Sequence, residues 1–329
     1  MKAARPDLLK PPRTAALLGA ALVLCALPAL AQEPAYPGRA VTMYTTFAAG
    51  GITDTITRTS ATALGETLGQ AVVVENKPGA NGALGIGALM RAKPDGYTIA
   101  LTVSSVITLN PLINKDLPYE PLRDLAPIGN IGNSGLLITA NPNVAAKTIQ
   151  DYVNLAKASP GKVSLGVFTA GGKLFQAMLE QSTGVKLLQV PFGGTAQALT
   201  AMLGGHIDSM LDTAGGARGQ VESGKIHALA VTGLQRSKLL PNVPTVAETI
   251  PGFEVVTWFG VFAPAGTPAD RVTALNRALM KAIDQPKTRE ALAAVDVSPV
   301  ANTPQEFTAR IRAEIERNQQ IVQKYNITN

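Results

Sequence analysis

The sequence is poor in the residues on which most protein chemistry relies. It holds one cysteine, Cys25, two histidines, His206 and His227, and one tryptophan among 329 residues. A lone cysteine excludes an intramolecular disulfide framework and any cysteine-based structural zinc site. Two histidines exclude a three-histidine metal centre and argue against a histidine-based catalytic triad. Charged residues are also few, at 16%, against 46% hydrophobic residues, which excludes a disordered chain. The net charge is only +6, and beyond the first thirteen residues the remaining charge is too small and scattered for a nucleic-acid footprint. The length suits two domains of roughly 150 residues, each able to bury a core.

Lys2, Arg5, Lys10 and Arg13 precede an apolar run from Ala15 to Leu27, then Pro28 and the small-x-small string Ala29-Leu30-Ala31. This pattern predicts a secretory signal peptide over residues 1–31, cleaved before Gln32. The apolar run falls short of the ~20 residues of a membrane-spanning helix. Leu24 before Cys25 is a poor lipidation context. Loss of the leader removes four of the 29 basic residues and one of the 23 acidic ones, leaving 25 against 22, net +3, and no cysteine. A cysteine-free chain suits an oxidising compartment.

Beyond residue 32, β-like runs alternate with helical patterns, the mark of an α/β architecture with largely parallel sheets. Strands are expected at 40–47, 71–75, 97–103, 136–140, 163–168, 187–191, 207–211 and 228–232. Helices are expected at 54–68, 82–92, 149–158, 174–181, 195–203 and 216–223, followed by three more at 270–282, 287–293 and 304–324. Glycines gather where strands hand over to helices, the edge at which open α/β sheets bind ligands. A helix N-terminus there offers unpaired N–H groups and a partial positive charge to an anion.

Several catalytic patterns fail. Gly166 to Lys173 misplaces the lysine of a phosphate loop, with Gly172 at its position and Leu174 replacing the hydroxyl residue. Gly82, Gly85 and Gly87 run in the wrong order for a dinucleotide fingerprint and suit close helix packing instead. Ser159 and Lys162 match S-x-x-K only as a string, because Pro160-Gly161 prevents the helical turn that pair needs. No G-x-S-x-G elbow and no H-E-x-x-H occurs. No catalytic residue, metal ligand or cofactor site is therefore expected.

What remains is polar residues on glycine-rich turns. Ala48 to Thr53, after Phe47, read as a backbone nest for a carboxylate, with Asp54 as the cap of the next helix. A side chain at Gly51 should obstruct that nest or its left-handed backbone. Ser104 and Ser105 are either turn residues or hydroxyl donors. Thr169 to Lys173 repeat the strand-to-helix design, with Lys173 either solvated or paired with an anion. Asp212, at the end of a strand, is either a cap or a ligand-binding residue.

Taken in order, these segments resemble the Bug proteins, the solute receptors of tripartite tricarboxylate transporters. Tyr36-Pro37-Gly38-Arg39 and Phe47-Ala48-Ala49-Gly50-Gly51 with Asp54 open the resemblance. Val74 to Gly82, Lys93 to Thr98, Pro160-Gly161-Lys162, Val190 to Gly194 and Leu203 to Asp208 continue it. Ala228 to Thr232, Leu240 to Glu248, Pro251-Gly252-Phe253 and Ala263 to Pro268 complete it. Each string is weak alone; their shared order is specific.

The resemblance implies a two-lobed, type II-like periplasmic binding protein fold, each lobe a mixed or parallel sheet flanked by helices, with the ligand in the cleft between them. It places lobe 1 at 32–135 and 256–329 and lobe 2 at 136–255. It implies a monomeric periplasmic receptor, without cofactor, that delivers a small carboxylate (a di- or tricarboxylate, acidic amino acid or aromatic acid) to membrane permease subunits. The same fold presenting its ligand to a sensor kinase, or a secreted α/β enzyme, are the alternatives. The implied ligand-binding residues are Phe47, Ala48, Gly50, Gly51, Thr53, Asp54, Ser104, Ser105, Thr169, Gly171, Gly172, Lys173, Thr195 and Asp212. Two strings depart from the family. Gly172-Lys173-Leu174-Phe175-Gln176 stands where Gly-Ser-x-x-His is common, and Phe192-Gly193-Gly194 where Tyr-Lys-Gly is common. Both fall in the lobe that reads the distal part of the ligand, which makes Lys173 a candidate selector.

Overall fold

The computed structural model describes residues 36–324, together with Met1 and Ile327. The signal peptide expected at 1–31 lies outside the described residues. The chain begins with β1 (Val41–Thr45), α1 (Ile52–Leu68), β2 (Val72–Asn76), α2 (Ala83–Met90) and β3 (Thr98–Val103). Short helices α3 (Ser104–Thr108), α4 (Asn110–Ile113) and α5 (Pro121–Asp124) lead into the long strand β4 (Leu125–Ala140). Next come α6 (Ile149–Ala158), β5 (Ser164–Val167), α7 (Ala170–Thr183), β6 (Leu188–Pro191), α8 (Thr195–Leu203), β7 (Ser209–Thr213), α9 (Ala214–Glu222) and β8 (His227–Val231). The chain then returns through β9 (Val256–Pro264) to α10 (Ala269–Asp284), α11 (Pro286–Ala293), β10 (Ser298–Pro299) and α12 (Pro304–Lys324).

These elements form two sheets that share β4. In the first, β1 lies parallel to both β2 and β3, β3 pairs antiparallel with β9, and β9 with β4 over Leu125 to Gly135. From Leu136 onward β4 leaves β9 and pairs antiparallel with β7 on one side and, from Leu137, with β8 on the other. β5 extends this second sheet parallel to β7, and β6 parallel to β5. The chain thus changes sheets at Gly135–Leu136 and returns at Val255–Val256, the latter being the residue Gly135 faces. The sheets are mixed, with antiparallel pairing concentrated at these crossing strands.

Local signals explain most elements. Thr148 and Asp151 form a reciprocal capping box that starts α6. The α1 stripe Ile56, Ala63 and Leu64 is buried in the first core, with Leu68 packed at its margin. Phe307 and Ile311 of α12 pack under β9, where Trp258 and Phe262 meet the Phe307 ring at 5.1 and 5.4 Å. Three expectations need correcting. Asp54 is not a cap: Gly51 is the N-cap of α1 and Asp54 falls in its first turn. Ser104 and Ser105 do not form a turn but begin α3. Asp212 lies within β7, which runs on to Thr213, because its backbone pairs with Leu137.

The small residues of α2 serve close packing. A Cβ on Gly85 would stand 2.8 Å from Thr46 Cγ2 and 2.9 Å from the Lys77 carbonyl oxygen, so only glycine lets α2 approach the end of β1. Gly85→Val should therefore destabilise the protein by about 1–3 kcal/mol through overpacking, measured as a lower midpoint of urea unfolding. An unchanged midpoint would show that α2 can move away without cost.

Candidate ligand-binding site

Beyond the carboxyl ends of β1, β5, β6 and β7 the chain enters α1, α7, α8 and α9 within six residues, and residues at all four turns line one cavity of about 300 Å³. That volume lies at the small end of ligand pockets. The first sheet contributes Phe47, Ala48, Gly51, Ile52 and Thr53 around the start of α1, and Ser104 and Ser105 from α3. The second contributes Thr169, Gly171 and Gly172 from α7, Gly194, Thr195 and Gln197 from α8, and Asp212 and Thr213 from β7. The two sides come close, since a Cβ on Gly171 would be 3.8 Å from Ser105 Cβ.

The helix ends differ in how they are capped. Thr169 Oγ1 accepts from the Gly172 N–H at 3.3 Å, and Thr213 Oγ1 from the Gly216 N–H at 3.1 Å. By contrast, α1 and α8 carry glycines at the N-cap, Gly51 and Gly194, with no side-chain cap. Among the described residues, the N–H groups of Ile52 and Thr53 have no acceptor. One uncapped helix thus opens onto the cavity from each sheet. Orphan N–H groups and the positive helix end together make a ready anion site.

Side-chain charge is sparse here. Among the described lining residues the only cation is Arg317 of α12. Glu314, also lining, already accepts from Thr108 Oγ1 at 2.8 Å and from Trp258 Nε1 at 2.7 Å. Asp212 is 4% exposed. Burial pushes its carboxyl up from 3.8 to about 7, with the Thr213 N–H, donated at 2.7 Å, pulling the other way.

Of the residues singled out in the sequence, Phe47, Ala48, Gly51, Thr53, Ser104, Ser105, Thr169, Gly171, Gly172, Thr195 and Asp212 line the cavity, whereas Gly50, Asp54 and Lys173 do not. Gly50 and Asp54 brace the loop instead. The Gly50 N–H donates to Asp54 Oδ2 at 3.0 Å, Arg58 Nε donates to the same oxygen, and Asn76 Nδ2 reaches both Asp54 Oδ1 and the Phe47 carbonyl. Burial alone would raise the Asp54 pKa, but the hydrogen bonds from Arg58, Gly50 and Asn76 outweigh it and hold the carboxyl below its ordinary range. The left-handed residue of this loop is Gly50, at φ +81°; Gly51 has φ −86°, and a Cβ there meets Ala48 O at an ordinary 3.7 Å. Lys173 is not among the lining residues, although Gly171, Gly172 and Leu174 around it on α7 are.

Glu254, Thr257, Arg317, Asn318 and Ile321 also line the cavity and were not anticipated. One signal did exist. Asn318, 3% exposed, interrupts the apolar stripe that Phe307 and Ile311 begin, and a polar residue on such a face invites a reason. Its Nδ2 donates to the Thr108 carbonyl and hydroxyl.

Residues 56–327 match the family model described as the tripartite tricarboxylate transporter family receptor. The chain belongs to that receptor family. BugT of Bordetella pertussis is 32% identical over 309 residues, 93% of this chain and 95% of BugT. Rpa4515 of R. palustris, solved with adipate, superposes with a TM-score of 0.85 at 29% identity over 89% of this chain and 99% of its own. MatC from Rhodopseudomonas palustris, solved with malate, gives 0.81 at 29% identity over 87% of this chain and 100% of its own. The fold is accordingly that of the two-lobed periplasmic binding proteins, and the protein is a solute-binding receptor rather than an enzyme. Among the described residues no helix is long and apolar enough to cross a membrane.

The two buried carboxyls should give opposite pH dependences. Asp54, with its pKa lowered, contributes stability that is present above the unfolded value near 4 and lost as pH falls through the depressed one. Asp212, with its pKa raised, favours the fold fully below about pH 4, and that contribution is lost as pH rises through about 7. Asp212→Asn, uncharged throughout, should therefore gain stability relative to the native protein as pH goes from 5 to 8, by about 2–4 kcal/mol. Urea unfolding at the two pH values measures this; an equal gap at both would mean that Asp212 does not hold its proton.

Proposed function

We propose that this receptor captures a small dicarboxylate in the cavity between its two sheets and delivers it to the membrane permease subunits of a tripartite tricarboxylate transporter. The observation that carries the reading is the pair of uncapped helix ends, α1 from the first sheet and α8 from the second, opening onto one cavity with a single lining cation among the described residues. A carboxylate held by N–H groups and hydroxyls needs no salt bridge, because charge-assisted hydrogen bonds contribute about 1.5–3 kcal/mol each. The adipate and malate held by Rpa4515 and MatC support the choice of a dicarboxylate.

Residues 32–135 with 256–329 would then form lobe 1 and residues 136–255 lobe 2, closing about the two sheet crossings like a hinged receptor. Phe47 to Thr53, with Ser104 and Ser105, would take one carboxylate; Thr169 to Gly172, Thr195 and Asp212 would meet the other end. The chain would act as a monomer in the periplasm after cleavage behind Ala31. N-terminal mass spectrometry of the protein exported by its host should begin at Gln32; a retained leader, or a lipid on Cys25, would overturn that part.

Ligand capture is tested by thermal shift of the purified mature chain against a carboxylate panel. A ligand at 100 times its dissociation constant adds about 2.7 kcal/mol of stability. At least one dicarboxylate should therefore raise the melting temperature by several degrees. A panel without any shift would count against the carboxylate reading.

A further inference from the structure

We propose that Asp212 meets the ligand as a neutral acid, donating its proton to a carboxylate oxygen, so that capture of a dicarboxylate takes up a proton. This rests on the dicarboxylate reading above and goes beyond it by making binding proton-linked. The geometry is specific. Asp212 Oδ1 is occupied by the Thr213 N–H, and the carboxyl is seated on the first turn of α9, where a Cβ on Gly216 would lie 2.8 Å from Oδ1. Oδ2 has no hydrogen-bond partner among the described residues, and Asp212 lines the cavity while being 4% exposed.

No charge on the surrounding elements neutralises it. β4, β5 and α8, which pack against β7, contain no charged residue. On α9, Arg218 and Glu222 pair with each other at 2.7 Å. The other charged residues on the cavity wall are Glu254, Glu314 and Arg317, on the return crossing and α12. An ionised Asp212 opposite a ligand carboxylate would be a like-charge contact without a cation between the two. Protonation removes the repulsion and turns the acid into a donor. Burial already brings the carboxyl to about 7, and a second carboxylate alongside raises it further.

The test is titration calorimetry of the mature chain with adipate, L-malate, L-aspartate and benzoate at pH 6, 7, 8 and 9, in buffers of different ionisation enthalpy. The expected result is that a dicarboxylate binds most tightly at pH 6 and loses affinity towards tenfold per pH unit above pH 7. Proton uptake should approach one per ligand at pH 8. In Asp212→Asn, whose amide is a permanent donor, uptake and slope should both vanish. Zero uptake by the native protein with a bound dicarboxylate would overturn the inference, whatever the variant does. So would tighter binding of L-aspartate with rising pH, which would make Asp212 an acceptor for an ammonium group. Failure of all four probes, and of the wider panel, would instead remove the dicarboxylate reading and this inference with it.

Discussion

Two neighbouring antiparallel strands carry the chain between its sheets, and the rest of the molecule is arranged around that constraint. β4 and β9 pair from Leu125–Pro264 to Gly135–Val256, and immediately beyond this last pair β4 changes partners to β7 and β8. Because both crossings lie side by side, the ends of β1, β5, β6 and β7 can face one another over a shared space. Had the chain crossed at opposite edges, the helix ends that begin there would not meet. The cavity is a consequence of topology before any side chain is considered.

Within the cavity, backbone takes the part that lysine and arginine play in many anion sites. The glycine N-caps Gly51 and Gly194 leave first-turn N–H groups without a side-chain acceptor, whereas Thr169 and Thr213 cap their own helices. Such positions are rigid because each helix is anchored in a core, so little ordering entropy is lost when an anion is bound. The loop that leads into α1 is held separately, by Asp54, Arg58 and Asn76 behind it. Residues that shape the site are thereby distinct from residues that face it.

The C-terminal helix ties these parts together. Phe307 and Ile311 belong to the core under the first sheet, while Ile321 and Val322 pack against the core of the second. Between them Glu314 joins Thr108 to the Trp258 indole, and Asn318 joins Thr108 again. A helix anchored at both ends and hydrogen-bonded in its middle sets the position of α3, and with it Ser104 and Ser105. Glu314 and Asn318 are polar for that reason, although they occupy an otherwise apolar stripe.

Much of this was legible locally. The ranges Ile149–Ala158, Thr195–Leu203 and Pro304–Lys324 follow from capping residues, periodicity and breakers, and the strand-to-helix glycines marked where a ligand could sit. The order of the motif strings pointed to the family over nearly the whole chain. What could not be read was anything set by distant partners. The strand from Leu125 to Gly135 has no clear alternation, because its pairing is supplied by β9, more than a hundred residues away. Asp54 and Lys173 stand in motif strings beside lining residues, yet neither lines the cavity, and the Asp54 carboxyl is taken up by the Gly50 N–H and its neighbours. Arg317 and Glu254 reached the cavity wall from segments without any local signature. The sequence by itself determined the elements, the turn chemistry and the near absence of charge. Only the tertiary structure decided which groups share the cavity and how deeply Asp212 is buried, because burial and facing depend on contacts between residues far apart in the chain.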